Sequence, residues 1–263
     1  MTWQLYLSCD PYPERMPKAI VHVGTHKTGT TTFQRWAHAN KSAIKDATGY
    51  RFFEGMFSSD RFKGQFTSDP SNFAHIEFAL MCLRPERKFV GHQRWHDIGQ
   101  HPDFALRFFE HLAEELNGDD LIISNEELSF IRFPDEVDQL RELLTGYDLE
   151  FIAARRNTDD FLRSYSKWMK LRSYEPSSDP HSRFYIEPDS WILDFDSLNA
   201  LFPALTWVDY DVAMEECGSI IPALIEGMGF QVDALPDWKV PPLNVSSDRL
   251  RRRLNRLRWQ LRR

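Results

Sequence analysis

Residues 24–32 combine glycine, threonine and a single lysine in a spacing that can bind an anion. The segment reads Gly-Thr-His-Lys-Thr-Gly-Thr-Thr-Thr and begins where the apolar run Ala19–Gly24 ends. Glycines allow tight turns in which several amide N–H groups converge on the same oxygens. A helix that begins near Thr30 would add about half a positive charge at its N-terminus. The segment therefore predicts a phosphate-binding loop, and a turn without a ligand is the alternative.

The position of the lysine distinguishes this loop from the one that binds nucleoside triphosphates. In that P-loop, GxxxxGK followed by Ser or Thr, the lysine after the second glycine reaches the β- and γ-phosphates. Gly24 and Gly29 have the same spacing here, but Thr30 stands in place of that lysine and Lys27 lies inside the loop. We therefore expect Lys27 to approach a shorter ligand than a triphosphate.

The same residues carry a family resemblance. The segment His26–Thr32 resembles the 5′-phosphosulfate-binding loop of sulfotransferases that use 3′-phosphoadenosine 5′-phosphosulfate (PAPS), usually written PKSGTTW, with histidine in place of proline and threonine in place of tryptophan. The longer form GTHKTGTT is similar to a bacterial sulfotransferase-like group. The resemblance implies that Lys27 contacts the bridging oxygen of the phosphosulfate and stabilises the leaving phosphate. The donor-binding residues that it implies in this loop are His26, Lys27, Thr28, Gly29, Thr30, Thr31 and Thr32.

A second motif resembles the family's site for the 3′-phosphate of the donor, a pattern like RNxxxxxxS after a strand. Arg156 and Asn157 follow the predicted strand Leu149–Ala154, and Ser164 stands eight residues after the arginine. A guanidinium can make paired hydrogen bonds to phosphate, and a serine adds a neutral donor. The alternative is a capped helix with surface arginines. The family's basic Arg-Lys-Gly loop is not recognisable, and Pro241–Ser247 occupies its region.

Sulfuryl transfer to a hydroxyl also needs a group that accepts the hydroxyl proton, and glutamate or histidine can do this. Glu126 follows the predicted strand Leu121–Ser124, at the edge of the sheet where open α/β folds bind ligands. Its surroundings, SNEEL, resemble the SxE(x)L of family members with carbohydrate acceptors. Glu126 is therefore the first candidate for the base, and His75, in SNFAHIEFAL, is the second; His92 and His96 are weaker. An exposed acidic pair and a structural histidine are the alternatives.

Strands that alternate with helices predict an α/β fold, a three-layer sandwich with a central parallel sheet like that of P-loop NTPases. We expect one sulfotransferase-like domain over residues 1–263, with irregular stretches at about 51–99 and 173–203 that form lids, substrate walls or surface packing. The predicted elements are the strand Ala19–Gly24, a helix from about Thr30 to Ile44, the helix Phe104–Leu116, the strand Leu121–Ser124, the helix Pro134–Leu144, the strand Leu149–Ala154, a helix capped by Thr158, and the strand Thr206–Tyr210.

Composition restricts the class of protein. The 263 residues are 42% hydrophobic and 27% charged, as expected of a globular chain. Its three cysteines are far apart, no apolar run is long enough to span a bilayer, and the N-terminus does not resemble a secretory signal, so we expect a cytoplasmic protein. The net charge of −7 argues against a nucleic-acid partner. Eight arginines follow Asp248, and residues 249–263 predict a basic amphipathic helix that docks on its own domain or makes a weak contact with a membrane or partner.

Together these patterns predict a PAPS-dependent sulfotransferase that releases 3′-phosphoadenosine 5′-phosphate (PAP), uses no metal, and acts on a hydroxyl of a carbohydrate or glycoconjugate. An ATP-dependent P-loop kinase and a non-catalytic nucleotide-binding protein are the alternatives. Aromatic residues of the two irregular stretches are expected on the acceptor side: Phe52, Phe53, Phe57, Phe66, Trp95, Phe184, Tyr185 and Trp191.

Overall fold

A parallel sheet forms the centre of the fold. The computed structural model describes residues 15–59, 73–87, 97–180 and 182–238. Within these residues the sheet has five strands in the order β2-β3-β1-β4-β5, all parallel. The strands are β1 Lys18–His22, β2 Arg51–Phe52, β3 Leu121–Ser124, β4 Asp148–Arg155 and β5 Thr206–Asp209. Because parallel strands point the same way, the segments that follow β1, β3 and β4 meet at one edge of the sheet.

Helices cover both faces of this sheet. The helices of the described part include α1 Thr30–Ala39, α2 Lys41–Thr48, α3 Ile76–Cys82, α4 Phe104–Glu115, α5 Pro134–Leu143, α6 Thr158–Arg172, α7 Phe195–Leu201, α8 Tyr210–Cys217 and α9 Ile221–Gly227. Helices α3 to α7 contribute to one buried core, and α1, α2, α8 and α9 contribute to the other.

The alternation of side chains along each strand feeds these two cores. In β1, Val21 packs into the core of α3 to α7, whereas Ile20 packs into the core on the opposite face. In β3, Ile123 and Ile122 divide in the same way, as the period of two in a strand requires. Strands β1 and β3 are therefore apolar on both sides, which is typical of central strands of a parallel sheet between two helical layers. The predicted three-layer α/β sandwich is confirmed.

The predicted helix from Thr30 to Ile44 is wrong in one respect, because it is two helices. Helix α1 ends at Ala39, where Asn40 leaves the helical conformation with φ −114° and ψ 17°. The side-chain amide of Asn40 donates a hydrogen bond to the carbonyl of Trp36 at 2.8 Å, which closes the last turn of α1. Asparagine competes in this way with the regular helical hydrogen bonds, so the chain turns before α2 begins.

The described part of the stretch 51–99, which the sequence predicts to be irregular, contains regular elements, among them a strand and a helix. Strand β2 is its first element: the Arg51 N–H donates to the carbonyl of Asp120, and the Phe53 N–H donates to that of Ile122. Phe52 is buried between these bonds. A strand of two residues has no period for a sequence pattern to reveal. Helix α3 is another of these elements.

The N-terminus of α6 also differs from the prediction. Asn157, rather than Thr158, caps this helix, because its side-chain oxygen accepts hydrogen bonds from the N–H groups of Asp159 and Asp160. Threonine and asparagine are both common N-caps, and the local sequence does not decide between adjacent candidates.

Several predicted features fall outside the described residues: the basic segment 249–263, the element Pro241–Ser247, His92 and His96. Among the described helices, none combines the length and apolarity needed to cross a membrane. In the same part of the chain, no group of three or more His, Cys, Asp and Glu side chains is placed to hold a metal ion.

Glu77 in α3 makes the stability of this fold depend on pH. Its side chain is fully buried, its Oε1 accepts a hydrogen bond from the Met56 N–H at 2.8 Å, and burial raises its pKa from the ordinary 4.5 to about 7. The folded protein therefore keeps a proton that the unfolded chain releases, so stability is lost as pH rises from about 4.5 through about 7.

We expect Glu77→Gln to change the free energy of unfolding little near pH 5 and to raise it by up to about 3 kcal/mol near pH 8. Urea denaturation at the two pH values measures this, with Glu142→Gln on the exposed face of α5 as the control. An equal change at both pH values would contradict the prediction.

Candidate functional site

The loop between β1 and α1 has a backbone that bends sharply at three positions. Gly24, Lys27 and Gly29 have φ angles of +33°, +64° and +80°. A Cβ on Gly29 would lie 2.9 Å from Cγ2 of Ile220, and one on Gly24 would lie 2.9 Å from Cα of Glu126. The loop therefore packs against the segment that follows β3. Left-handed residues beside right-handed ones turn successive N–H groups toward a common centre, which suits an anion.

The N-terminus of α1 is available to such an anion. No side chain caps this helix, and its first turn contains no acidic residue. Helix α6 is the opposite case, because Asn157 caps it and Asp159 and Asp160 lie in its first turn. Of α1 and α6, which follow β1 and β4, α1 is thus the one whose N–H groups and dipole can bind an added negative group.

Threonine hydroxyls hold the loop in shape. The Thr28 hydroxyl donates to the Thr25 carbonyl at 2.6 Å, and the Thr25 hydroxyl donates to the carbonyl of Ala154 in β4. Thr28 is buried and does not line the cleft described below, so the expectation that its hydroxyl faces a ligand is not supported. Thr30 and Thr31 do line the cleft, whereas Thr32 is half-buried and does not.

A cleft of about 310 Å³ opens at the carboxyl edge of the sheet, beside this loop. Its walls come from the loop, from the 3₁₀ turn Glu126–Phe130 after β3, from the end of α6 and from the segment after α6. The lining residues are His26, Lys27, Gly29, Thr30, Thr31, Glu126, Glu127, Trp168, Arg172 and Arg183. The structure thus brings two predicted catalytic residues, Lys27 and Glu126, into one cleft.

These two groups have pKa values displaced toward neutrality. Burial lowers the pKa of Lys27, and the nearby positive charges of Arg156 and Arg172 add to this effect against the attraction of Glu126. The walls of the cleft displace water around Glu126, and the adjacent Glu127 repels its charge, so the pKa of Glu126 rises to about 7. About a third of the Glu126 side chain, 34%, is still exposed, so it can reach a bound molecule.

Glu127 has a different environment from its neighbour. Its carboxylate accepts hydrogen bonds from Nη1 and Nη2 of Arg183 at 3.3 and 3.4 Å, and both side chains are buried. Burial raises the pKa of Glu127 against the opposing charge of this guanidinium. Arg183 also lies over the ring of Phe130, 4.6 Å from its centroid. The paired bonds and the ring fix Glu127 at the base of the cleft.

Arg156 supports the loop from the end of β4. Its Nη1 donates to the Lys27 carbonyl at 3.2 Å, its Nε lies 3.8 Å from Oδ1 of Asp211, and its guanidinium lies over the ring of Tyr210. The predicted arginine therefore reaches the loop, although it is not part of the cleft wall. Ser164 is half-buried in the second turn of α6 and does not line the cleft either.

His75 has a structural environment, which corrects its candidacy as the base. The ring is fully buried before α3, and its Nδ1 accepts a hydrogen bond from the Ser124 N–H at 2.9 Å. Burial lowers its pKa to about 3. The ring packs against Phe52 and Phe53, it does not line the cleft, and its contacts hold the end of β3.

The aromatic wall predicted for the acceptor side is wrong at three of its eight positions, and two others, Phe66 and Trp95, lie outside the described residues. Phe52, Phe53 and Phe57 are buried in the two cores. The aromatic residue of the cleft is Trp168 instead, which shares one face of α6 with Arg172. The spacing of four residues between Trp168 and Arg172 is the feature of the sequence that could have predicted their shared position. Arg183 had no such signal, because it lies in a stretch without period.

The fold of the chain can be compared with the folds of known proteins. No protein-family model matches the chain, and no curated protein matches its sequence. Among solved structures, the chain is similar to a sulfotransferase from Alicyclobacillus acidocaldarius, with a TM-score of 0.50 and 13% identity over 92% of this chain and 91% of that one. The sulfotransferase domain from the curacin biosynthetic pathway matches with a TM-score of 0.40 and 10% identity over 89% and 82%. The first likeness confirms the predicted sulfotransferase-like fold.

Proposed function

We propose that this chain is a sulfotransferase that moves a sulfuryl group from PAPS to a hydroxyl of its acceptor. The observation that carries the proposal is the meeting of Lys27 and Glu126 in one cleft, beside the uncapped N-terminus of α1. An anion-binding loop with its own cation, next to a carboxyl group that titrates near neutrality, is what transfer from an anionic donor to a hydroxyl requires.

The residues at the loop fit such a donor. The turned N–H groups between Gly24 and Gly29 and the first turn of α1 are suited to the 5′-phosphate. Arg156 is suited to the 3′-phosphate, since its guanidinium stands at the end of β4 and reaches the loop through the Lys27 carbonyl. Ser164 stays a prediction from the motif. When bound, the donor supplies the sulfuryl group and a phosphate that leaves.

The chemistry of the protein side then divides between two residues. Lys27 stabilises the negative charge that develops on the oxygen of the departing phosphate, and because the ammonium is already desolvated its interaction is stronger than in water. Glu126 accepts the proton of the acceptor hydroxyl. With a pKa of about 7, it is ionised in a large fraction of molecules at neutral pH and is still basic enough to take that proton.

Other residues that line the cleft are suited to a sugar-like acceptor. Trp168 offers an aromatic face on which a saccharide ring can pack, and Glu127 and Arg183 offer charged hydrogen-bonding groups in the same cleft. An aromatic platform beside convergent polar groups is a common way to bind a molecule with many hydroxyls. We therefore propose a carbohydrate or glycoconjugate hydroxyl as the acceptor.

Calorimetric titration of PAP tests the donor site through Arg156. We expect wild type to bind PAP with micromolar affinity, and Arg156→Ala to weaken it about ten- to a hundredfold through the loss of charged hydrogen bonds. Arg155→Ala is the matched control, because Arg155 is the neighbouring residue and is exposed. Its affinity should equal that of wild type.

Titration of ATP in the same way distinguishes a sulfotransferase from the alternative, an ATP-dependent kinase, which the spacing of Gly24 and Gly29 favours. Preference for ATP over PAP, with magnesium-dependent turnover of ATP, would reject the sulfotransferase proposal. Equal weakening by Arg155→Ala and Arg156→Ala would reject the assignment of the 3′-phosphate to Arg156.

A further inference from the structure

The imidazole of His26 lies between two carboxyl groups. Its Nδ1 is 3.9 Å from Oε1 of Glu126, and its Nε2 is 3.9 Å from Oε2 of Glu127. Because the two nitrogens point to different sides of the ring, one imidazole can interact with both carboxylates. The related loop PKSGTTW has proline at this position, which can neither donate a hydrogen bond nor carry charge on its side chain.

The surroundings of His26 hold the ring in this orientation. Its side chain is only 7% exposed, its face stacks on Phe130 at 4.6 Å, and the ring of Tyr165 meets it edge-on at 5.8 Å. Glu127 is itself fixed by the two hydrogen bonds from Arg183. The result is a line of four groups, Arg183–Glu127–His26–Glu126, whose last member reaches into the cleft.

Charged and titratable groups surround the ring on several sides. Two carboxylates face it from the 3₁₀ turn, Lys27 is the cation of its own loop, Arg183 approaches from the segment after α6, and the phenol of Tyr165 comes from α6. Arg183 is already paired with Glu127, which leaves Glu126 as the charge that an imidazolium would satisfy. An anionic donor at the loop would add further negative charge.

We infer, on the basis of the proposed sulfuryl transfer, that His26 is a positioning residue: as an imidazolium it bridges Glu126 and Glu127 and keeps Glu126 ionised to accept the acceptor's proton. The two groups then share one proton at neutral pH, and the bridge places that proton on the histidine. Without the bridge, only the charges of Lys27 and Arg183 named above would oppose the repulsion from Glu127, and the pKa of Glu126 would rise.

His26→Phe tests this because it keeps a ring between Phe130 and Tyr165 but removes both nitrogens. We expect the acidic limb of the pH profile of kcat/KM to move up by about one unit. Activity near pH 6.5 should then fall about tenfold, with recovery above about pH 8.5. His26→Gln, which is polar but cannot carry charge, should move the limb in the same direction. His38, a half-buried histidine of α1 that stacks on Phe73, provides the control: His38→Phe should leave the profile unchanged.

A second readout needs neither donor nor acceptor. In protein labelled with ¹³C at the glutamate carboxyl carbon, the Glu126 signal is identified by its loss in Glu126→Gln and is titrated in wild type and His26→Phe. We expect its midpoint to rise by about one unit in the variant. This result shows whether His26 bridges the two carboxylates even if wild type fails to bind PAP. Failure of the proposed function and failure of the bridge are therefore distinguishable.

Three outcomes would overturn the inference. The first is an unchanged Glu126 midpoint in both variants. The second is loss of activity by a similar factor at every pH, which would mean that His26 is either structural or the base itself. The third is a large loss of PAP affinity in His26→Gln with the acidic limb unmoved, which would make His26 a donor contact.

Discussion

Glu126→Gln should lower kcat by about 10²- to 10⁴-fold, the range that a positioned general base contributes, while PAP affinity stays close to that of wild type. The amide has the size of the carboxyl group but cannot accept the proton of the acceptor hydroxyl. Turnover at saturating donor and acceptor measures the loss, and calorimetry measures PAP binding. Glu142→Gln, on the exposed face of α5, is the matched control and should keep wild-type activity.

The pH dependence gives this prediction a second observable. The raised pKa of Glu126 means that the base is protonated below about pH 7 and ionised above it. For wild type, kcat/KM should therefore rise with pH and level off above about pH 8. The residual activity of Glu126→Gln should lack this limb. Retention of activity within about threefold of wild type, or an unchanged limb in the variant, would remove Glu126 from the mechanism.

The parts of the site that the sequence predicts are those with local signals. The apolar run before Gly24, the two glycines and the threonines specify a strand, a tight turn and a helix N-terminus within fourteen residues. Glu126 could be placed because it directly follows a short apolar strand, and the carboxyl edge of a parallel sheet is where ligands bind. In both cases the chemistry and the element that positions it are neighbours in the chain.

The parts of the site that the sequence does not predict depend on packing between distant segments. Nothing near Arg183 indicates that it reaches Glu127, 56 residues away, because the stretch that holds it has no period. His75 resembles a base in sequence, but only the fold shows that the end of β3 and two phenylalanine rings bury it. The two-residue strand β2 is too short for alternation to be visible.

The adjacent residues Glu126 and Glu127 are a further example of what the sequence alone does not predict. Asn125 accepts a hydrogen bond from the Glu127 N–H at 2.6 Å, and this contact begins the 3₁₀ turn that separates the directions of the two side chains. The Glu127 carboxylate is buried and accepts hydrogen bonds from Arg183, whereas about a third of the Glu126 side chain is exposed. The sequence motif favours Glu126 as the base but does not predict the partner of Glu127, which the fold supplies from a distant segment.

Lys27→Met should lower kcat by about 10²- to 10³-fold, the usual loss when one preorganised group that stabilises transition-state charge is removed. Methionine keeps the length and the apolar part of the side chain but has no charge. PAP affinity should fall by a smaller factor than kcat, because the N–H groups of the loop and the first turn of α1 still bind the phosphate. Lys170→Met, on the exposed side of α6, is the matched control and should behave like wild type.

The thermal stability of Lys27→Met distinguishes a catalytic lysine from a structural one. Burial lowers the pKa of Lys27, so the folded state disfavours its charge. Removal of the charge should therefore leave Tm equal to or above that of wild type, even as activity is lost. That combination would mean that the lysine stands in the loop at the expense of stability, as expected of a group selected for catalysis. A drop in Tm that accompanies the loss of activity would instead make Lys27 a support for the loop, and the charge on the leaving phosphate would have to be stabilised by another group.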